Sequence, residues 1–337
     1  MDLNTVWFVL VGVLLAGYAI LDGFDLGVGA LHLLARKDEH RRILLNSIGP
    51  VWDGNEVWLV TGGGALFAAF PVVYATVFSG FYLAMILLLF ALIFRAVSIE
   101  FRGKRESPRW RNAWDAGFSV GSVAAALLLG VAFGNVVRGV PIDASGEFSG
   151  SFFTLLSPYA LLTGVTTVAL FTMHGALYLA LKTEGDLQAT VRRWARNAIL
   201  VFAICYAAAT VVTIVRVPRM WDGIASRPLL FAVPVVTLLA VACIPRAALR
   251  GKDGRAFLAS CVVIAGLLAT AAIGMYPNLV AAADPARALT IRNAASSPKT
   301  LAIMLILAGI GMPLVLAYTI AIYRTFRGKV RLDSTSY

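Results

Sequence analysis

Residues 5–34 read TVWFVLVGVLLAGYAILDGFDLGVGALHLL, and this stretch decides the class of protein. It contains two acids, Asp22 and Asp25, and not one Lys or Arg. About 20 consecutive apolar residues are enough for a helix to cross the hydrocarbon core of a bilayer. The stretch therefore predicts a membrane-spanning helix.

The rest of the chain has the same character. Of its 337 residues, 59% are hydrophobic and 14% are charged, and the mean hydropathy is +0.81. Soluble domains carry about 25% charged residues. We therefore predict an all-α polytopic membrane protein, with a tight turn at Pro71 separating its second and third spans. Nine stretches are predicted to span the membrane: 5–34, 51–70, 72–96, 114–137, 155–181, 197–216, 228–245, 256–275 and 300–323.

The net charge of +11 is distributed in a way that predicts the topology. Successive loops alternate in charge, and one set, with Arg95 at its membrane edge, holds 22 of the 29 Lys and Arg residues. By the positive-inside rule this set is cytoplasmic, which places the N-terminus outside and the C-terminus inside. The excess positive charge is thus explained without a nucleic-acid partner. The basic set comprises 35–50, 97–113, 182–196, 246–255 and the tail after 323.

The cysteines and the N-terminus point to no metal site and no cleaved leader. Cys205, Cys243 and Cys261 fall inside predicted spans without CxxC spacing. They are expected to be buried apolar residues, and neither a zinc site nor a disulfide framework is indicated. Residues 1–4 contain no basic residue, so the first stretch is expected to be retained as a helix.

A weak internal repeat suggests how the spans are organised. Residues 29–36 (GALHLLAR) are similar to residues 175–182 (GALYLALK), and a basic loop follows each segment. Chance explains so short a match in apolar sequence equally well. A duplication would give two four-helix units of the same orientation, with the ninth helix and the tail appended. The units would be residues 1–138 and 139–277, and the appended part residues 278–337.

Four acids in or beside the predicted spans form two pairs, Asp22 with Asp25 and Asp53 with Glu56. An i,i+3 spacing puts both members of a pair on one helix face. Asp22 follows Asn4 by about 27 Å of helix, which places it in the cytoplasmic half at a depth similar to that of the second pair. Burial disfavours the charged form of a carboxyl group, so such acids can take up and release protons. The pairs therefore predict a proton pathway that starts at the cytoplasm.

Structural roles for the same acids stay open. Asp53 and Glu56 open their helix, where the positive end of the helix dipole favours acids. Asp22 and Asp25 lie late in theirs, so the alternative for them is a buried hydrogen bond or an ion pair. The sequence offers these acids no obvious basic partner, because the nearest arginines lie in the loop that follows.

The three histidines have different expected settings. His174 lies mid-span and admits three interpretations: a hydrogen-bonded packing residue, a member of a proton relay, or a haem ligand. His32 is close to the cytoplasmic interface, so its ring is expected to reach towards water. His40 lies in a charged loop.

Several runs, taken in order, resemble subunit II of the cytochrome bd quinol oxidases, a family that includes a cyanide-insensitive branch. The similarity is dense across residues 10–182 and thins afterwards, and the chain length and number of spans also fit. The matching runs are 21–29 (LDGFDLGVG), 52–58 (WDGNEVW), 63–71 (GGALFAAFP), 79–82 (SGFY), 109–115 (RWRNAWD) and 130–135 (GVAFGN).

The resemblance implies an activity and a partner. The family oxidises quinol and reduces dioxygen to water in the bacterial cytoplasmic membrane. Two b-type haems and one d-type haem are expected on the partner, subunit I, where quinol is also oxidised. Subunit II packs against that partner and helps to bring cytoplasmic protons to the oxygen site. A small accessory subunit and a structural quinone on this chain are compatible with the family pattern.

The resemblance also assigns roles to residues. The proton residues would be Asp53 with its neighbour Trp52, together with the Asp22/Asp25 pair. Relatives carry Gln as well as Glu at the position of Glu56, and some carry Gln at that of His174, which argues against a haem ligand there. Two further residues, Asn55 and Trp58, are expected to support the site or to face the partner.

A proton-coupled transporter or a channel is the alternative function. Such proteins commonly have duplicated halves and intramembrane acids. A coloured, haem-bearing partner that co-purifies with the chain would favour the oxidase subunit, and a colourless homomer would favour the transporter.

Overall fold

The computed structural model describes residues 2–332 and confirms an all-α architecture. Its only strands among these residues are β1 (Asn278–Val280) and β2 (Leu289–Thr290), which form a small antiparallel pair. The twelve α-helices are α1 Leu3–His32, α2 Asp38–Ile48, α3 Trp52–Ala69, α4 Pro71–Gly80, α5 Tyr82–Arg102, α6 Pro108–Arg138, α7 Pro158–Lys182, α8 Gly185–Arg216, α9 Pro218–Ala225, α10 Ala232–Leu249, α11 Asp253–Met275 and α12 Pro298–Thr325.

Eight stretches of helix in the described chain are long and apolar enough to cross a membrane. They are α1, α5 to α8, α10 with the 3₁₀ turn before it, α11 and α12. The predicted second span corresponds to α3, which has 18 residues and is less apolar because Asp53, Asn55 and Glu56 lie near its start. The nine-span prediction therefore holds as an approximate number, with α3 the most polar of the nine.

The third predicted span starts in the wrong place. Instead of one helix over 72–96, the chain forms the short α4, breaks at Phe81 and continues as α5. Pro71 does begin a helix, as its missing donor favours, but α4 has only 10 residues, about 15 Å, too short to cross a bilayer. As a result Arg95 lies about two turns inside α5 and not at its edge.

Two of the predicted basic loops are largely helical. The loop 35–50 contains the amphipathic α2, which buries Leu44, Leu45 and Ile48. The loop 182–196 is mostly the first three turns of α8. A search for apolar windows misses such turns because they are polar on the outer face and continue beyond the apolar run.

The two ends of the bundle are held together by different contacts. At the basic end, Lys182 of α7 donates to the Phe326 carbonyl after α12 (2.6 Å), and Arg192 of α8 pairs with Asp253 of α11 (2.6 Å). At the opposite end, the Trp7 indole donates to the Leu301 carbonyl (3.0 Å). Segments predicted to share a side of the membrane thus meet in the folded chain.

Helix α1 is the centre of the bundle and packs against α3, α6, α7 and α11. Its closest approach is to α7, where a Cβ on Gly27 would lie 1.9 Å from the Phe171 carbonyl oxygen. A Cβ on Gly175 would lie 2.5 Å from the Gly27 carbonyl carbon. Both positions must be glycine for the backbones to approach this closely, and the approach buries the part of α1 that carries Asp22 and Asp25.

The packing pattern of α1, α3, α5 and α6 recurs in α7, α8, α10 and α11. In each set the first helix contacts the second and the fourth, and the third packs along the fourth. The similar segments 29–36 and 175–182 end the first helix of each set. The duplication itself, with its boundaries at 138 and 277, stays a prediction.

Candidate functional site

The most unusual site is a buried group of charges where the last third of α1, the start of α3 and the second half of α5 meet. We call Asp22, Asp25, Glu56 and Arg95 the Arg95 cluster. Asp22, Asp25 and Arg95 are completely buried, and the Glu56 side chain is 24% exposed. Each helix supplies its residues from a polar position in an otherwise apolar face, so the cluster forms only when the three helices pack.

Arg95 is the hub of this cluster. Its Nη2 lies 2.6 Å from Asp22 Oδ1 and 3.9 Å from Asp25 Oδ2, and its Nη1 pairs with Glu56 Oε1. The basic partner that was not obvious from the sequence is therefore Arg95 of α5. The ion pair left open for Asp22 and Asp25 is present, and a guanidinium bridges the two predicted carboxylate pairs.

The charges of the cluster do not balance. One guanidinium faces three carboxyl groups, so full ionisation would leave an excess of negative charge in a buried site. Among residues 2–332, Asp22 Oδ2, Asp25 Oδ1 and Arg95 Nε have no hydrogen-bond partner. Like charges this close disfavour one another's ionised forms, and the free oxygens are places where protons can reside.

Asn55 and Tyr323 extend the cluster towards α12. The Asn55 side-chain nitrogen donates to Asp25 Oδ2 (2.7 Å) and to the Leu21 carbonyl (3.2 Å), and the Tyr323 hydroxyl donates to Asn55 Oδ1 (2.9 Å). Asn55 is buried, as a supporting role requires. Tyr323 was not singled out in the sequence, where it is one more aromatic residue near the end of an apolar run.

The other residues of the 52–58 run lie around the cluster and not in it. Asp53 is exposed on the outer face of α3, one turn before Glu56. Trp52 is half-buried against the main core. Trp58 is buried on the α1 side, where a Cβ on Gly17 would lie 2.4 Å from its ring. Trp58 therefore supports α1, whereas Asp53 is free to face a partner subunit.

A second charged group lies at the basic end of the bundle, where α1, α2, α5 and α6 meet. We call His32, Arg41, Arg102 and Asp115 the Asp115 cluster. Asp115 Oδ1 lies 2.6 Å from His32 Nε2 and 2.6 Å from Arg102 Nε, and Oδ2 lies 2.9 Å from Arg41 Nη1. His32 is fully buried, so the expectation that its ring reaches towards water is wrong.

The cations of these clusters, Arg95, Arg41 and Arg102, were overlooked as site residues because their sequence positions suggested topology alone. Arg95 follows thirteen apolar or weakly polar residues of α5, and a charge at such depth is a functional candidate by default. Asp115 is the last residue of the run 109–115 that resembles the oxidase family, and no other feature of the sequence indicated a role for it. Its partners Arg41 and Arg102 were included in the basic loops.

His174 is a packing residue that also joins three helices. Its Nε2 donates to the Ile20 carbonyl of α1 (3.0 Å), its Nδ1 lies 2.7 Å from Ser260 Oγ of α11, and its ring stacks on Phe257 at 4.8 Å. With both nitrogens engaged and the ring fully buried, His174 does not fit a haem ligand.

The remaining histidines do not fit a haem either. His32 is bonded to Asp115, and His40 is half-buried near the start of α2, at the end of the bundle. Within the described chain, no group of three His, Cys, Asp or Glu residues is placed to hold a metal ion. The cysteines form no disulfide, and Cys243 is exposed on α10, contrary to the expectation that all three are buried.

Comparison with known proteins identifies the family to which the chain belongs. The family model for cytochrome bd terminal oxidase subunit II matches residues 3–326. The chain is 40% identical to cytochrome bd-I ubiquinol oxidase subunit 2 of Escherichia coli K12, over 97% of this chain and 95% of that protein. It is 37% identical to cytochrome bd ubiquinol oxidase subunit 2 of Bacillus subtilis 168, over 98% and 97% of the two chains.

A solved structure has the same fold. A chain of bd oxidase from Geobacillus thermodenitrificans superposes with a TM-score of 0.82, over 97% of this chain and 99% of that chain, at 17% identity. At that identity the likeness concerns the fold alone. The family match over nearly the whole chain and the two sequence relatives confirm the resemblance seen in the motifs: the chain belongs to the cytochrome bd terminal oxidase subunit II family and is a subunit of an oxidoreductase complex.

Proposed function

We propose that this chain is the haem-poor subunit of a quinol:dioxygen oxidoreductase, in which it supports subunit I and helps to deliver cytoplasmic protons for the reduction of dioxygen to water. The observation that carries the proton role is the Arg95 cluster. Three carboxyl groups share one guanidinium, and two carboxylate oxygens are buried without a partner in the described chain. A site that only needed stability would balance its charges.

The position of each acid supports an order of proton movement. Asp53 is exposed at the start of α3, Glu56 lies one turn deeper and is partly exposed, and Asp22 is completely buried. Arg95 contacts both Glu56 and Asp22. Protons would therefore pass from Asp53 to Glu56 and on to the Asp22/Asp25 pair, while the guanidinium holds the acids together.

The haems belong on the partner in this proposal. A bd-type oxidase contains haem, and the histidines of this chain are either engaged in other bonds or placed at the end of the bundle. Two b-type haems and one d-type haem would be held by subunit I, together with the site of quinol oxidation. A structural quinone and a small accessory subunit stay predictions from the resemblance.

The membrane orientation is part of the same proposal. The basic set of 22 residues supports a cytoplasmic location for that end of the bundle in a bacterial cell, with the N-terminus outside. Reporter fusions after Lys104 and at the C-terminus should report cytoplasm, and a fusion at Ser145 should report the outside. Opposite results at two of these positions would contradict the orientation.

A duplicated origin remains part of the proposal as well. The recurring packing of α1, α3, α5, α6 and of α7, α8, α10, α11 supports two four-helix units with boundaries at residues 138 and 277. Helix α12 would then be an addition. The alternative of a transporter or channel is not favoured, because the family match covers residues 3–326.

The decisive experiment is Asp53→Asn in the purified complex. Asn keeps the shape and polarity but cannot carry the proton, so quinol oxidase turnover per haem should fall at least about tenfold, as loss of an acid–base group predicts. Proton uptake from the cytoplasmic side of vesicles should fall in parallel, with haem content unchanged. Normal turnover and uptake in an assembled Asp53→Asn complex would remove Asp53 from the pathway.

The same experiment separates a proton role from a structural one. Asp22→Asn and Asp25→Asn should act in the same direction as Asp53→Asn. If the acids are only structural, these variants should lose assembly with subunit I before they lose turnover per complex.

A further inference from the structure

The hydrogen bonds around Asn55 have only one consistent direction. A backbone carbonyl can only accept, so the side-chain atom of Asn55 that faces the Leu21 carbonyl must be the nitrogen. Its second N–H then points to Asp25 Oδ2 at 2.7 Å. The Asn55 oxygen is left facing the Tyr323 hydroxyl at 2.9 Å, so that the hydroxyl must donate.

This direction distinguishes the two oxygens of Asp25. Oδ2 accepts the Asn55 N–H and lies 3.9 Å from the Arg95 guanidinium, so one hydrogen bond and a nearby positive charge hold it as an acceptor. Oδ1 is buried and has no partner in the part of the chain that the structure describes. A proton on Asp25 therefore favours Oδ1, because the unprotonated oxygen of a carboxyl group is the stronger acceptor for the Asn55 N–H.

The bonds from Tyr323 to Asp25 position the carboxyl group but do not conduct protons. An amide side chain between a hydroxyl and a carboxyl group keeps its own hydrogens, so it interrupts proton transfer along the chain. Tyr323 lies in a groove between α3 and α12 with a volume of about 190 Å³, which Asn55, Trp58 and Tyr318 also line. Asn55 lines that groove and Asp25 does not, so the amide separates the groove from the carboxyl group.

We propose that Tyr323, acting through Asn55, is a positioning residue for Asp25: it fixes Oδ2 as an acceptor and leaves Oδ1 as the proton-carrying atom. Protons then reach Asp25 from the Glu56 and Asp22 side and not from the α3–α12 groove. Helix α12, of which only Leu301 is fully buried, thereby gains a role at its cytoplasmic end. This inference rests on the proposed proton function of Asp25.

The first test is Tyr323→Phe in the assembled complex, with Tyr318→Phe as the matched control. Tyr318 lines the same groove and is 63% exposed. The infrared C=O stretch of protonated Asp25, identified by its loss in Asp25→Asn, should shift in Tyr323→Phe and stay in place in Tyr318→Phe. Turnover should fall about threefold to tenfold in Tyr323→Phe, the range expected when one hydrogen bond that orients a buried group is lost.

The second test uses a double-mutant cycle with Asn55→Leu, which removes the amide while keeping similar volume. Because Tyr323 acts through Asn55, adding Tyr323→Phe to Asn55→Leu should change neither the band nor the turnover further. Independent, multiplying effects would overturn the proposal. The proposal would also be overturned if the Tyr323→Phe complex had the same C=O band and turnover as the Tyr318→Phe control. A third contradicting result would be that no carboxyl band is lost in Asp25→Asn.

The outcomes separate this inference from the proposed function. If Asp25→Asn slows turnover and Tyr323→Phe leaves both the band and the turnover unchanged, the positioning role fails and the proton role stands. If Asp25→Asn leaves turnover normal, the proton role of Asp25 fails, whatever Tyr323 does to the band.

Discussion

The two buried charge clusters have opposite compositions. In the Arg95 cluster one guanidinium faces three carboxyl groups, and two carboxylate oxygens have no partner among the described residues. In the Asp115 cluster one carboxylate faces two guanidinium groups and an imidazole, and both of its oxygens are engaged. The first has more acids than its cation can neutralise, whereas in the second the extra guanidinium charge is met by Asp38, which pairs with Arg102 at 2.6 Å.

Under the proposed function, this difference separates the proton-carrying site from a structural clamp. Surplus carboxyl groups can be neutralised by protons, so the charge of the Arg95 cluster can change during turnover. The Asp115 carboxylate is held ionised by the cations around it and joins the ends of α1, α2, α5 and α6. We therefore expect mutations in the first cluster to alter turnover and mutations in the second to alter stability.

The largest effect is expected for Arg95→Leu. Removing the only cation leaves three carboxyl groups together in a buried site, and breaking a buried ion pair typically costs about 3–5 kcal/mol. The variant should accumulate little complex with subunit I, measured as haem recovered with this chain after purification. Substitution of the exposed Lys104 by Leu is the control and should leave recovery unchanged. Normal recovery of the Arg95→Leu complex would show that the acids are already neutral.

The next effect is expected for Asp115→Asn. The variant leaves Arg41 and Arg102 without their shared carboxylate at the junction of four helices, a loss of about 3 kcal/mol. The melting temperature of the solubilised complex should fall, while turnover per haem stays close to that of the parent protein. A drop in turnover with an unchanged melting temperature would contradict the purely structural role of the Asp115 cluster.

A smaller effect on stability, but a clear one on turnover, is expected for Asp22→Asn. The amide can still accept from the Arg95 guanidinium, so assembly should persist while turnover falls at least about tenfold. Glu56→Gln is the matched comparison and should lower turnover less, because the Glu56 side chain is 24% exposed whereas Asp22 is completely buried. Equal losses in both variants would mean that Glu56 is as necessary as Asp22.

The smallest effect is expected for His174→Ala. The ring joins α1, α7 and α11 but belongs to neither cluster, so the variant should lose some thermal stability through the cavity it leaves. The visible haem spectrum of the complex should be unchanged. Loss of one haem signal would assign His174 a ligand role despite its two hydrogen bonds.

The all-α class, the approximate number of spans and the candidate acids were predictable because each depends on local properties. A long apolar run forms a helix wherever it lies, since backbone groups in a bilayer must bond within their own segment. Asp22 and Asp25 were recognisable because they interrupt such a run. Family membership was equally local, since it rested on runs such as 21–29 and 52–58.

The sequence alone determined which segments form apolar helices, and the tertiary structure decided which of their residues are buried and which of them meet. Arg95 lies 73 residues from Asp22 in the chain, and Tyr323 lies 268 residues from Asn55. The break at Phe81 sets the position of Arg95 along α5, and the glycine contact between Gly27 and Gly175 sets the place of α1 in the bundle. Apolar periodicity carries no information about such contacts, because the partner of a buried charge depends on how neighbouring helices are rotated and aligned.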